Sequence, residues 1–176
     1  MLSSIQNVLL ALGLTFGAVW DLRKGRIPNA LSLPLILAGL LLAAGEGWRA
    51  FLASLAAVMV VLGVGFVLYA VGVFGGGDAK LIAAIAALRG WAFLTEALVW
   101  MAMVGGVVAL VLLAWKRALI PFLRRLAKAG YEIVFLRLTP SEPVVEGKGH
   151  RIPYAVIIAA GTLAAIVAER LGHEWF

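Results

Sequence analysis

Acidic side chains are the residues of this chain whose type and position best suit chemistry. Most of its nine acidic residues fall in loops or near the C-terminus, whereas Asp21, Asp78 and Glu96 lie at the ends of apolar stretches. An ionisable group at such a position is costly to bury and usually has a function. When two carboxylates lie close together, one keeps its proton while the other is ionised. The ionised partner then activates water and the protonated one assists the carbonyl, so we expect Asp21 and Asp78 to hydrolyse an amide bond.

Other catalytic chemistries lack the residues that they need. The chain has no cysteine, which excludes thiolate nucleophiles, disulfides and thiolate metal sites, and its two histidines are not spaced as a ligand pair. We therefore predict neither a metal nor a cofactor. The net charge of +6 is more typical of cytoplasmic loops in a membrane protein than of a surface that binds nucleic acid.

A run of three glycines precedes the second acid, in the order Gly75, Gly76, Gly77, Asp78. Glycines leave the backbone free of side chains, so a substrate chain can approach closely, and they also permit a hinge. A phosphate-binding loop would place Gly-Lys before Ser or Thr, whereas here Asp78 separates the glycines from Lys80.

The first acid is followed by a turn sequence, Arg26-Ile27-Pro28-Asn29, in which Pro28 and Asn29 suit the start of a second helix. Two structural interpretations compete with catalysis. Asp21 would then pair with Arg23 or Arg26 at a helix end, and Asp78 would cap the helix that follows it.

The elements that must position these residues are apolar helices. The composition is 64% hydrophobic and only 14% charged, which is too apolar to cover a water-facing surface. Crossing the hydrocarbon takes about 20 apolar residues. Six stretches qualify or come close, namely residues 5–20, 30–44, 51–74, 79–88, 93–115 and 153–168, and the fourth is too short to cross without extension. We predict an all-α polytopic membrane protein, with about six transmembrane helices in a single membrane-embedded domain over residues 1–176.

Basic residues set the predicted orientation. If the loops alternate between the two sides, all but three of the 15 basic residues lie on one side, and the exceptions are Arg49, Arg89 and Arg170. Positively charged loops stay in the cytoplasm. The chain is therefore expected in the inner (plasma) membrane, with both termini outside and both catalytic candidates at the cytoplasmic face. Glu96 is expected near the opposite face, beside Arg89 and Trp91, as a structural acid.

A long basic loop, residues 116–152, separates the last two predicted spans. Its first part places Leu119, Phe122, Leu123 and Leu126 on one stripe, with basic residues elsewhere on the wheel and Pro121 in the first turn. This pattern predicts an amphipathic helix on an anionic lipid surface. A continuation of the fifth span into the cytoplasm is the alternative. Residues 139–151, rich in Pro and Gly, are predicted to be a mobile connector.

Three segments of the chain resemble those of the prepilin and preflagellin peptidases, which are intramembrane aspartyl proteases with a Gly-x-Gly-Asp motif. These segments are Asp21 with Arg26-Ile27-Pro28-Asn29, then Gly75-Gly76-Gly77-Asp78-Ala79-Lys80, and the late Ile152-Pro153-Tyr154-Ala155. The resemblance covers about residues 10–115 plus the last helix.

The resemblance implies that Asp21 and Asp78 are the catalytic pair, and that Arg26 and Lys80 position or tune them. It also implies that the substrate is a pilin-like or flagellin-like membrane precursor that carries a short basic leader. Larger relatives have an extra N-terminal region with paired cysteines and methylate the new N-terminus. The absence of cysteine argues against methyl transfer here, and the chain looks more like the compact peptidases of tight-adherence pili.

Two other functions compete with this one. Presenilin-like proteases share the Gly-x-Gly-Asp motif, but their other aspartate lies in mid-helix beside a tyrosine, whereas Asp21 follows Trp20 at a helix end. A small proton- or cation-coupled transporter that uses Asp21 and Asp78 as a relay would place its acids near the midplane of the bilayer, in broken helices.

Overall fold

The computed structural model describes residues 2–72, 74–115, 117–131 and 154–172. This part of the chain forms helices and no strand, which confirms the all-α prediction. The helices are α1 (Leu2–Lys24), α2 (Asn29–Glu46), α3 (Trp48–Ala70), α4 (Gly76–Trp115), α5 (Leu119–Tyr131) and α6 (Tyr154–Arg170).

Four of the described helices, α1 to α4, are long and apolar enough to cross a membrane. The first three each contain most of one predicted span, α4 contains the fourth and fifth, and α6 covers the sixth. The helical segments therefore follow the hydropathy of the sequence, while the number of crossings stays a prediction.

Helix α4 is interrupted at Gly90. Its 40 residues would measure about 60 Å if straight, roughly twice the thickness of the hydrocarbon core. Gly90 has φ 74° and ψ −173°, a conformation that strains any residue with a Cβ atom. The break divides α4 into an N-terminal arm, Gly76–Arg89, and a C-terminal arm, Trp91–Trp115. It falls between the fourth and fifth predicted spans, and the N-terminal arm, at about 21 Å, stays shorter than a full crossing of the hydrocarbon core.

The chain divides into two compact units, and the first comprises Met1–Val104 and Pro153–Phe176. Within it, α1 packs against α6 and α2, and α2 packs against α3. Both arms of α4 make close backbone contacts. A Cβ atom added at Gly39 would lie 2.5 Å from the carbonyl carbon of Ala87, and one added at Gly161 would lie 2.6 Å from Cα of Met101. Small residues at helix contacts are the usual packing device of membrane bundles.

The second unit, Gly105–Ile152, contains the end of α4 and the separate helix α5. Between them Arg117, with φ 52°, reverses the chain. Its N–H donates to Ala114 O at 3.0 Å and the N–H of Ala118 donates to Leu113 O at 2.9 Å, the bond pattern of a Schellman turn. Helix α5 is therefore not a continuation of the fifth span, and Pro121 lies in its first turn, as predicted. The predicted mobile connector lies outside the described residues.

Candidate active site

Asp21 lies in the last turn of α1, where its side chain is partly buried. The helix ends before Gly25, whose left-handed conformation (φ 62°) turns the chain away from the helix axis. The N–H of Gly25 still donates to the carbonyl oxygen of Asp21 at 2.7 Å. Lys24, in the same turn, stacks over Trp20 at 4.4 Å. Among the described residues, no ion pair joins Asp21 to Arg23 or Arg26, so the structure does not support the pairing that competed with catalysis.

Asp78 is the third residue of α4 and is only 8% exposed. Its carboxylate accepts a hydrogen bond from the backbone N–H of Gly75. Asp78 is at N3, the helix position whose side chain bonds back to the N–H of the N-cap residue in a capping box. A Cβ atom at Gly75 would lie 2.6 Å from Oδ2 of Asp78, so a side chain at residue 75 would displace the carboxylate from its present position. Asp78 does cap the start of α4 in this sense, and its capping bond leaves other oxygen lone pairs for chemistry.

The two acids lie close enough for the charge of Asp21 to act on Asp78. They come from different helices, yet the structure brings the end of α1 and the start of α4 to the same end of the first unit. The two acids are therefore near one another, and their assignment as a catalytic pair stays a prediction.

The two sequence motifs are also in direct contact. Lys80 Nζ donates a hydrogen bond to Oδ1 of Asn29 at 2.8 Å. Gly77 packs against Ile27, whose Cβ would lie 3.0 Å from a Cβ atom added at residue 77. Pro28 precedes the first residue of α2, and its carbonyl accepts the N–H of Leu31 at 3.0 Å. The connector between α1 and α2 is thereby fixed to the first turns of α4.

Arg26 lies exposed in the same connector. Within the described residues, Arg26 takes part in no ion pair or side-chain hydrogen bond. The contact between the two motifs therefore includes Lys80 but not Arg26.

An apolar cleft of about 480 Å³ borders the second motif. Its walls come from α3 and from the first turns of α4, and they consist of Met59, Leu62, Gly63, Gly65, Phe66, Tyr69, Gly76, Ala79 and Lys80. The cleft therefore ends beside the residues that flank Asp78.

Sequence reasoning missed two features near the motifs. The ring of Phe74 packs against Tyr154 with their centroids 5.9 Å apart, which attaches the start of α6 to the residue that precedes the glycines. The hydroxyl of Ser32, one turn into α2, is buried without a hydrogen-bond partner among the described residues. A polar residue one turn after Asn29, in an otherwise apolar helix, was the available signal for Ser32.

Glu96 lies in the C-terminal arm of α4 and is 8% exposed, with Oε1 lacking a partner in the described part of the chain. The sequence places Arg89 beside Glu96. In the structure Arg89 forms an ion pair with Glu169 and donates to Oδ1 of Asn7 at 2.9 Å. Glu96 is thus an internal acid and is separate from this ion pair.

The fold and the site together define a helical membrane protein in which two carboxylates from separate apolar helices lie near one another at a glycine-rich helix start. The model of the Type IV leader peptidase family matches residues 8–110, which is more than half of the chain, and the chain belongs to this family. The matched region contains both acids and the connector motif. No curated protein and no solved structure gives a significant match.

Proposed function

We propose that this chain is an aspartyl endopeptidase that uses Asp21 and Asp78 to remove the basic leader peptide from type IV pilin-like or flagellin-like precursors. The observation that carries the proposal is that Asp21 lies near enough for its charge to act on Asp78, from a separate helix, in a member of the leader peptidase family. Family membership supports peptidase activity, and the site supports the choice of acids.

The reaction requires only the two acids and water. The ionised carboxylate takes a proton from water while the water oxygen forms a bond to the peptide carbonyl carbon, and the other carboxyl donates its proton to the carbonyl oxygen. In the second step the amide nitrogen takes a proton from the pair, the C–N bond breaks, and one hydroxyl of the diol gives its proton back to the pair as the new carboxyl group forms. The products are a new carboxyl end and a new amino end, and the pair again holds one proton.

The surroundings of Asp78 suit an extended substrate. Gly75 and Gly76 present backbone without side chains, so a peptide can approach the buried carboxylate. The adjoining apolar cleft suits the hydrophobic segment that follows the leader in such precursors, because both are apolar and the cleft ends at Gly76 and Ala79. We infer that the segment after the cut lies in this cleft.

Lys80 and Asn29 act as positioning residues in this scheme. Their hydrogen bond joins the segment that follows Asp21 to the turn that carries Asp78, so it holds the two carboxylates in register. The basic loops on the same side favour the cytoplasmic face of the inner membrane for the reaction. We expect no methyl transfer, since the chain lacks the cysteines that accompany it in larger relatives.

The test is cleavage of a co-expressed pilin precursor by Asp21→Asn and Asp78→Asn variants. Asparagine keeps the shape of the side chain but exchanges no proton, so each variant should leave the precursor uncut at normal protein levels. Glu46→Gln, an exposed acid outside the motifs, is the matched control and should cleave normally. Full cleavage by either aspartate variant would reject the pair, and loss of cleavage on addition of a chelator would reject the metal-free mechanism.

A further inference from the structure

Helix α5 presents an apolar side and a basic side that the proposed peptidase reaction does not use. Ile120 and Leu123 are 66% and 52% exposed, although both are aliphatic. At 100° per residue, the stripe of Leu119, Phe122, Leu123 and Leu126 is centred about 150° from Arg124 and about 170° from Lys128, and both basic residues are exposed as well. Ile120 lies at the border between the two sides. The helix contains three basic residues and no acidic one.

The start of α5 is confined to the level at which α4 ends. Trp115, the last residue of α4, is 83% exposed, and aromatic residues of this kind line the boundary between membrane and water. Four Cα–Cα steps of about 3.8 Å separate Trp115 from Leu119, so the two residues are at most about 15 Å apart. The Schellman turn at Arg117 folds this connection back on α4 and shortens the reach further.

From this geometry we propose that α5 lies flat on the membrane and binds anionic phospholipids, with Leu123 and its stripe in the acyl region, Ile120 at the boundary and the basic residues at the headgroup phosphates. Two observations favour lipid over a protein partner. The charge of the helix complements an anionic headgroup layer. The helix is also joined by three residues to a segment that is long and apolar enough to lie within the bilayer.

The absence of cysteine from the chain allows a direct test in the full-length protein. Leu123→Cys and Arg124→Cys variants are placed in nanodiscs of phosphatidylcholine alone or mixed with phosphatidylglycerol, and the rate of alkylation by a water-soluble maleimide is measured. In the anionic discs the thiol at residue 123 should react more slowly than the thiol at residue 124. The protection at residue 123 should weaken in neutral discs, by about fivefold for each charge that lies near the lipid.

A second set of variants separates charge from folding. On the Leu123→Cys background, replacing Arg124, Arg125 and Lys128 by Gln should remove the effect of anionic lipid, whereas replacing both arginines by Lys should preserve it. Equal alkylation at residues 123 and 124 in both kinds of disc would overturn the proposal. So would protection at residue 123 that is independent of lipid charge and is accompanied by cross-linking to a second copy, which would identify a protein interface instead.

Discussion

Two groups of polar residues, one near each end of α1, use charge in opposite ways. Near the start of α1, Asn7 accepts a hydrogen bond from Arg89, whose guanidinium also pairs with Glu169 and packs on Phe93 at 4.4 Å. Near the end of α1, Asp21 lies close enough for its charge to act on Asp78, a second acid. Asn7 and Asp21 are 14 positions apart, which is about 21 Å along a helix.

The comparison shows where this fold gains stability and where it gives stability up. Arg89 has a side chain only 7% exposed, and its charge is matched by Glu169 with further bonds to neighbours, so this group ties α1, α4 and α6 together. The two aspartates form no such pair. The two aspartates repel one another when both are ionised, and such a pair is kept where function needs it. The Arg89–Glu169 pair, near the other end of α1, helps to hold the helices that carry the aspartates.

The largest expected effect is loss of cleavage on replacing an aspartate. Asp78→Asn should lower kcat by about a thousandfold, because one of the two proton-transfer groups is gone. Its melting temperature should not fall, since the substitution removes a buried group of like charge without changing its size. Cleavage assays and thermal unfolding of the same preparation test both parts, and a destabilised variant would show that Asp78 is a structural residue.

Breaking the ion pair between Arg89 and Glu169 should lower stability and leave activity nearly unchanged. Arg89→Leu leaves Asn7 and Glu169 without their partner, and disrupting a largely buried pair typically costs about 3 kcal/mol or more. Thermal unfolding in one fixed detergent measures the loss. Activity per folded molecule should change little, and a variant that is stable but inactive would contradict the separation of the two groups.

The bond between Asn29 and Lys80 offers a sharper probe of the catalytic end. Asn29→Ala and Lys80→Met should each lower kcat by about tenfold, and the double variant should be little worse than either one, because both remove the same contact. Melting temperatures should stay close to that of the parent. Losses that simply add would indicate that the two residues act independently.

The smallest effect is expected from filling the cleft. Gly63 has no atom within 4 Å of an added Cβ, so Gly63→Leu should occupy the cleft without disturbing the helices. We expect KM for the precursor to rise several-fold, roughly 1 kcal/mol of lost binding, at nearly constant kcat. Gly106→Leu, also in mid-helix with no neighbour within 4 Å, is the matched control. Equal kinetics for the two variants would place the substrate elsewhere.

How much of this could be predicted from the sequence depends on the distance between the residues involved. Apolar runs predicted the helices, and Pro28 with Asn29 predicted the start of α2, because both signals are local. The break at Gly90 was implied only by the gap between two apolar runs. The stripe on α5 was visible because its residues are neighbours on one helix.

The contacts between distant residues could not be predicted in this way. Asn29 and Lys80 were each singled out, but nothing in one sequence indicates that residues 51 positions apart share a hydrogen bond. Arg89 and Glu169 are 80 positions apart, and local hydropathy does not indicate that they form an ion pair. The burial of Glu96 also depends on how α4 packs, which local hydropathy does not determine.

Gly39 and Gly161 hold α4 by contacts of backbone on backbone, one on each arm. Helix α4, packed this closely at two points, cannot slide or rotate far, because a shift would bring main-chain atoms into steric conflict. Any adjustment of the gap between the aspartates during turnover must then come from the few residues that lead into α4, and the bundle itself behaves as a rigid frame around a small moving part.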